Sequence, residues 1–252
     1  MGVLLAPLLA PADPLAMSPR RLGLPSAAAW LGTDQFGRDL LSRLLFGARS
    51  SLIVSLSAVT LAAGVGGTVG LVAGYFEGRL DHLLMRAVDV LMAFPTLLLA
   101  LAVVATLGAS VPNLIAAITL AYIPIFSRIV RGSVLSTKQN DFVQASRALG
   151  ARDARIMARE ILPNVLAPVV VQATFNLSTA IMIEAALSFL GLGVQPPTPS
   201  WGTMLSEARN FMELDPWLAV APGTAITIAV LGFNLFGDGL RDALDPRLRG
   251  LG

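Results

Sequence analysis

An all-α, polytopic transmembrane bundle is the fold class the sequence predicts, and three observations predict it. Of the 252 residues, 55% are hydrophobic and only 13% are charged, with a mean hydropathy of +0.72, where a soluble domain carries about 25% charged residues. Five apolar stretches, 51–76, 87–107, 112–129, 165–190 and 217–236, reach the ~20 residues needed to cross a bilayer. The connections are short except for a basic stretch after the third span and a Pro-rich stretch, 194–215, after the fourth. The net charge of +2 is small, so the pI near 9.7 reflects local clusters. Without a basic tail interleaved with aromatics, nothing points to nucleic acid. The absence of cysteine excludes disulfides and thiolate metal sites. His82 stands alone, so no metal is expected.

The N-terminal ten residues are apolar, but ten helical residues cover only ~15 Å of a ~30 Å hydrocarbon core. Pro7 and Pro11 interrupt the stretch and no basic residue precedes it, which argues against a signal peptide. It reads as the remnant of a truncated first span, giving six spans in the natural protein and both termini on one side. Residues 33–49 follow with Phe36, Leu40 and Leu44 at helical spacing and Arg38, Asp39, Ser42 and Arg43 around the rest. The pattern predicts an amphipathic helix lying in the interface plane, capped by Thr33 or Asp34.

In the first full span Gly66, Gly70 and Gly74 recur every four residues, with Ala62 extending the row. A small-residue face lets two backbones approach closely, so this span is expected to pack tightly on another helix. In the second span Pro95 predicts a kink, and Asp89 is expected to pair with Arg86 one turn away. The fourth span carries Gln172, Asn176 and Thr179 on one face, with Glu184 about 140° around from Thr179. Such intramembrane polar groups usually face a bundle interior or an aqueous cavity. The four are candidates for the translocation path, a tie from Glu184 to a neighbouring helix being the structural alternative.

The basic stretch is the most informative segment. Asn140 or Asp141 can cap a short helix over 142–149, and Gly150 ends it, since glycine takes the left-handed C′ conformation without steric cost. A second helix is expected from about Asp153, with Arg152, Arg155 and Arg159 along it and an apolar side of Ile156, Met157 and Ile161. Pro163 and Pro168 mark passage into the fourth span. Charge then orients the chain. With this stretch cytoplasmic, that side holds twelve Lys and Arg against six on the other, which satisfies the positive-inside tendency and also places the C-terminus inside.

These residues carry a family resemblance. Gln144-Ala145-Ser146, three residues, Gly150, and then Leu162-Pro163 resemble the EAA loop of binding-protein-dependent ABC importer permeases. LGTDQFGRDLLSRLLFGAR at 31–49, LSFLGLGVQPPTPSWGTML at 187–205 and DGLRDALDPRLR at 238–249 resemble the C-type subunit of the dipeptide, oligopeptide and nickel branch. Two positions depart from the pattern: Gln144 replaces its first glutamate, and Glu160 stands where an apolar residue is common.

The resemblance implies a type I, MetI-like ABC importer permease of five complete spans plus a truncated first. Residues 1–48 would hold the remnant and the outer amphipathic segment, 49–242 the transmembrane type-1 domain and 243–252 a cytoplasmic tail. It implies a non-catalytic subunit forming half of a pathway for di- or oligopeptides, beside a second homologous permease, two cytoplasmic ATPases that hold ATP and Mg, and an extracytoplasmic substrate-binding protein. In this reading Phe142, Ala145, Leu149 and Gly150 dock the ATPase. Arg147, Arg152 and Arg155 form the rim, and Asp141, Gln144, Ser146, Glu160, Leu162 and Pro163 complete the loop. A nickel-chelate or other small-solute importer of the same family is the nearest alternative. An ion-coupled secondary transporter is the rival class, but the two acids within spans, Asp89 and Glu184, lie near opposite ends and supply no shared ion site.

Overall fold

The computed structural model describes residues 6–244, and among these every regular element is helical. After the short α1 (Ala6–Leu9), the chain forms α2 (Leu40–Phe76), α3 (Gly78–Met92), α4 (Thr96–Leu107) and α5 (Val111–Thr137). Next come α6 (Asp141–Ala148) and α7 (Asp153–Arg155), a π-helical segment (Ile156–Ile161), α8 (Leu162–Phe189), α9 (Trp201–Ala208) and α10 (Trp217–Leu244). Four uninterrupted helices are long and apolar enough to cross a membrane: Leu40–Phe76, Val111–Thr137, Asp153–Phe189 and Trp217–Leu244. The pair α3 and α4 brings the number to five if it counts as one span. The expected remnant span and C-terminal tail fall largely on residues 1–5 and 245–252, outside the described residues.

Three sequence expectations are corrected. The 33–49 segment is not one interfacial helix. Its first half is a tight loop in which Asp34 Oδ1 accepts the backbone N–H groups of Phe36 and Arg38, both at 2.9 Å, and Gly37 adopts φ +77°. The helix then starts at Leu40 and runs without interruption into the first span. Asp39, not Thr33 or Asp34, caps it by accepting the Ser42 N–H at 2.7 Å.

The second span is likewise not a kinked helix. It breaks at 93–95 into two helices bent by 88°, because Pro95 lacks an N–H and disfavours helical geometry in the residue before it.

The third correction concerns the basic stretch, whose second helix is continuous with the fourth span from Asp153 to Phe189. Pro163 within an α-helix would clash with the Arg159 carbonyl. The π-helical widening at Ile156–Ile161 directly precedes it and admits the ring. Asn164 Nδ2 caps the loosened Glu160 carbonyl at 2.6 Å.

The described residues divide into two compact units, one comprising those up to 57, 101–117 and 178–231 and the other 58–100, 118–177 and those from 232 onward. In the first, α9 wedges against α2 and α8. A Cβ at Gly202 would collide with the Ala185 carbonyl, Trp201 Nε1 donates to the Leu44 carbonyl at 3.1 Å, and Ser200 and Thr203 form a capping box. In the second, Gly66, Gly70 and Gly74 all face α5. Added Cβ atoms would meet the backbone of Ile123, Ser127 and Arg131, so the partner of the glycine face is a helix of the same chain.

Candidate functional site

The basic stretch folds as a helical hairpin in the second unit. Asn140 has extended backbone geometry and its side chain makes no cap hydrogen bond, its carbonyl instead accepting from Gln144 N at 3.2 Å. At the other end of α6, Gly150 has φ +78°. The Ala151 N–H bonds the Ser146 carbonyl at 3.1 Å and the Gly150 N–H the Arg147 carbonyl at 3.0 Å, the paired pattern of a Schellman cap. The chain thus reverses within Leu149–Ala151 and enters α7.

The inner face of this hairpin is anchored. Val143, Ile156 and Ile161 are buried together with Tyr75 of α2, Val130 and Val134 of α5 and Val165 of α8, each such side chain contributing ~1.5–3 kcal/mol relative to exposure in water. Tyr75 is also the polar hub. Its hydroxyl donates to Asp153 Oδ1 at 2.5 Å and accepts from Arg147 at 3.3 Å. Lys138 Nζ donates to the Tyr75 carbonyl at 2.6 Å and to Glu77 at 2.7 Å, with its ammonium 5.5 Å from the Tyr75 ring centroid. The Tyr75 hydroxyl beside the Arg147 guanidinium pushes the arginine above its usual range.

The outer face is bare. Phe142 and Ala145 are exposed, and Leu149 is 88% exposed. They follow an i, i+3, i+7 row along α6 and its C-cap residue Leu149. Asp141, Gln144, Arg152 and Arg155 are also exposed, and Ser146 and Glu160 are half-buried. Gln144 donates to the Lys138 carbonyl at 3.0 Å, bracing the start of the hairpin. Arg147 is exposed and its guanidinium turns onto Tyr75 of its own chain, 5.6 Å from the ring centroid. Leu162 and Pro163 lie exposed at the first turn of α8.

The four polar residues of the fourth span differ in their surroundings. Gln172 Nε2 donates to Asn176 Oδ1 at 2.9 Å. Gln172 lines a 600 Å³ pocket with Asn164, Pro168, Phe175 and Arg241, whereas Asn176 is buried and Thr179 exposed. Glu184 is fully buried. It accepts from Ser188 at 2.7 Å, with the Ser51 and Ser200 hydroxyls beside the same carboxyl. Glu184 of α8 thereby meets hydroxyls from α2 and from the N-cap of α9.

The sequence reading missed a charged network in the first unit. Arg38 bonds Asp34 at 2.6 Å and Glu207 at 2.8 Å, and Arg43 bonds Glu207 at 2.9 Å. It ties the loop before α2 to α9, and Arg43 is almost fully buried. The only sequence signal was a high density of charge at 34–43 in an otherwise apolar chain. The second span's charges were also mispaired. Asp89 bonds Arg128 of α5 at 2.6 Å, and Arg131 of α5 makes a bidentate pair with Asp81 at 2.6 Å on both arms. An i, i+3 contact with Arg86 loses to the geometrically better approach from the facing helix.

This helical arrangement resembles that of a solved inward-facing MetNI methionine ABC transporter chain, with a TM-score of 0.66 at 20% identity over 82% of this chain and 96% of the other. The class defined by the fold is therefore an all-helical one with four or five helices long and apolar enough to cross a membrane. Sequence comparison is more specific. Residues 66–250 match the family described as binding-protein-dependent transport system inner membrane component, and the chain belongs to that family. It is 49% identical over 245 residues to the dipeptide transport system permease protein DppC of Alkalihalophilus pseudofirmus, covering 97% of this chain and 81% of that one. It is 48% identical over 225 residues to the glutathione transport system permease protein GsiD of Pectobacterium atrosepticum, covering 89% and 75%.

Proposed function

We propose that this chain is the permease subunit forming half of the translocation pathway of an ATP-driven importer of di- or oligopeptides in the bacterial cytoplasmic membrane. Its hairpin and C-terminus face the cytoplasm. A second homologous permease supplies the other half, two ATPases hold ATP and Mg, and an extracytoplasmic binding protein delivers the peptide. The chain itself catalyses nothing. Relatives named for dipeptide and glutathione transport support the substrate class.

The observation that carries this reading is the contrast between the two faces of the α6 hairpin. One is welded to three long helices through the Tyr75 cluster, and the other presents Phe142 and Leu149 to solvent. Phe142 and Leu149, exposed together along α6 and its C-cap, suit a socket on a soluble partner. A push on α6 passes through Ile156 and Ile161 into a 37-residue helix, long enough at ~1.5 Å per residue to carry motion across the bilayer. Tyr75 passes the same displacement to α2. Closure of the ATPases around bound ATP therefore becomes a tilt of spans, and hydrolysis releases it.

The test is Gly150→Val in the assembled complex. At φ +78° a β-branched residue is strained, so the turn is distorted and substrate-stimulated ATP hydrolysis falls severalfold. Unchanged stimulation refutes the assignment.

A further inference from the structure

One charged pocket is left unused by the coupling account. It has a volume of 490 Å³ and lies between α3 and α5, lined by Asp81, His82, Arg86 and Asp89 of the first helix and Arg128 and Arg131 of the second. At 100° per residue, Arg79, Asp81, His82, Arg86 and Asp89 occupy an arc of about 160° on α3. Leu80, Leu83, Ala87, Val90 and Leu91 fill the opposite arc, and Leu80, Leu83 and Val90 are exposed there. In a membrane protein the bare apolar arc is the lipid-compatible one, so the charged arc and its pocket turn toward water.

The two ion pairs in this pocket are unlike. Arg131 and Asp81 form a bidentate pair with the carboxylate 8% exposed, a fixed strut between the helices. Arg128 and Asp89 share one 2.6 Å contact with both side chains 53% exposed, and an exposed single-contact pair opens at little cost. Arg86 makes no ion pair among the described residues and leaves the pocket one positive charge in surplus. Arg86 and Asp89 are one turn apart, where side chains are neighbours at ~5–6 Å. The charged ends of an extended dipeptide, two residues at ~3.3–3.6 Å each, lie at a matching separation.

We propose that this pocket is a station on the substrate route that recognises peptide termini. Arg86, joined by Arg128 when its pair opens, holds the free α-carboxylate, and Asp89 takes the α-ammonium. The exchange is isoelectric, since each ionic contact given up by Arg128 and Asp89 is replaced by one with the peptide. It favours unblocked peptides over capped ones, and it rests on the peptide-importer reading.

The experiment uses the complete complex, with its ATPases, second permease and binding protein, in vesicles of phosphatidylethanolamine and phosphatidylglycerol. ATP-driven uptake of a dipeptide and of its C-terminal amide is compared between the natural chain and Arg86→Gln. The same binding protein serves both chains, so its own preference cancels in each ratio. Arg86 is exposed and pairs with no carboxylate among the described residues, so its replacement breaks no ion pair there. The apparent KM for the free dipeptide is expected to rise about tenfold, while uptake of the amide changes by less than about twofold. Equal loss for both peptides, or no loss for either, overturns the proposal. An effect that tracks phosphatidylglycerol content and ignores the carboxylate also overturns it, assigning the pocket to a lipid headgroup. Absence of ATP-driven uptake by the natural complex fails the importer reading itself, which is a separate and recognisable result.

Discussion

Replacing Gly66 by alanine adds one methyl group, yet it should drive α2 and α5 apart. The new Cβ would lie 2.6 Å from the Ile123 carbonyl oxygen and 2.9 Å from Phe126 Cβ. Ordinary contact begins at 3.4 Å, so the helices are about 0.8 Å too close, and the nearest obstacle is backbone that has no rotamer to give. Overpacking of this kind costs ~1–3 kcal/mol, or several degrees of midpoint in a chain of this size, about 5 °C. Gly64, two residues away on the same helix, is the control, because nothing lies within 4 Å of its would-be Cβ. There alanine should be neutral, or stabilising by up to ~1 kcal/mol through helix propensity. The assay is thermal denaturation of the detergent-solubilised complex, followed by loss of the monodisperse size-exclusion peak. Equal midpoints for the two variants would refute the assignment of the glycine face to the α2–α5 contact.

Three further outcomes follow from the geometry. Tyr75→Phe removes a hydroxyl bonded to Asp153 and Arg147, a loss of ~1 kcal/mol, and should speed amide exchange across 141–161 with the rest of the chain unaffected; hydrogen exchange by mass spectrometry checks it. Leu149→Asp touches a side chain 88% exposed, so insertion and thermal midpoint should hold while co-purification of the ATPase drops at least about tenfold. Glu207→Gln removes the carboxylate shared by Arg38 and Arg43 and leaves a buried arginine short of charge. Since Glu207 is partly exposed, the expected cost is ~1–3 kcal/mol, seen as a lowered midpoint that Glu207→Asp partly restores.

The helical hairpin after the third span is legible in the sequence because its signals are local. Gly150 ends a helix by backbone conformation, and Leu162-Pro163 sets the entry to α8 through the missing N–H; neither depends on a distant partner. The glycine row at 66, 70 and 74 was legible as a close-packing face, but its partner was not, since a small-residue stripe says nothing about which helix fills it. The 33–49 segment shows the opposite failure. Its apolar residues do recur at helical spacing, but Asp34 captures two backbone N–H groups and Gly37 turns left-handed, so local hydrogen bonding overrides periodicity until Asp39 caps the helix. Spacing along the chain alone pairs Asp89 with Arg86. Once α5 lies alongside, Arg128 presents a better-placed guanidinium. The Asp34, Arg38, Arg43 and Glu207 network joins residues more than 160 positions apart, and no spacing rule reaches that far.

The central claim, that the outer face of α6 seats in the ATPase, can be measured directly because the chain contains no cysteine. Leu149→Cys introduces a single thiol at the exposed tip of the hairpin, in a complex whose other subunits have been rendered cysteine-free. The account predicts that a maleimide labels this thiol rapidly on the separate subunit and at least about tenfold more slowly once the ATPases are bound, with salt-washed removal of the ATPases restoring the fast rate. Equal labelling rates with and without the bound ATPases would contradict it.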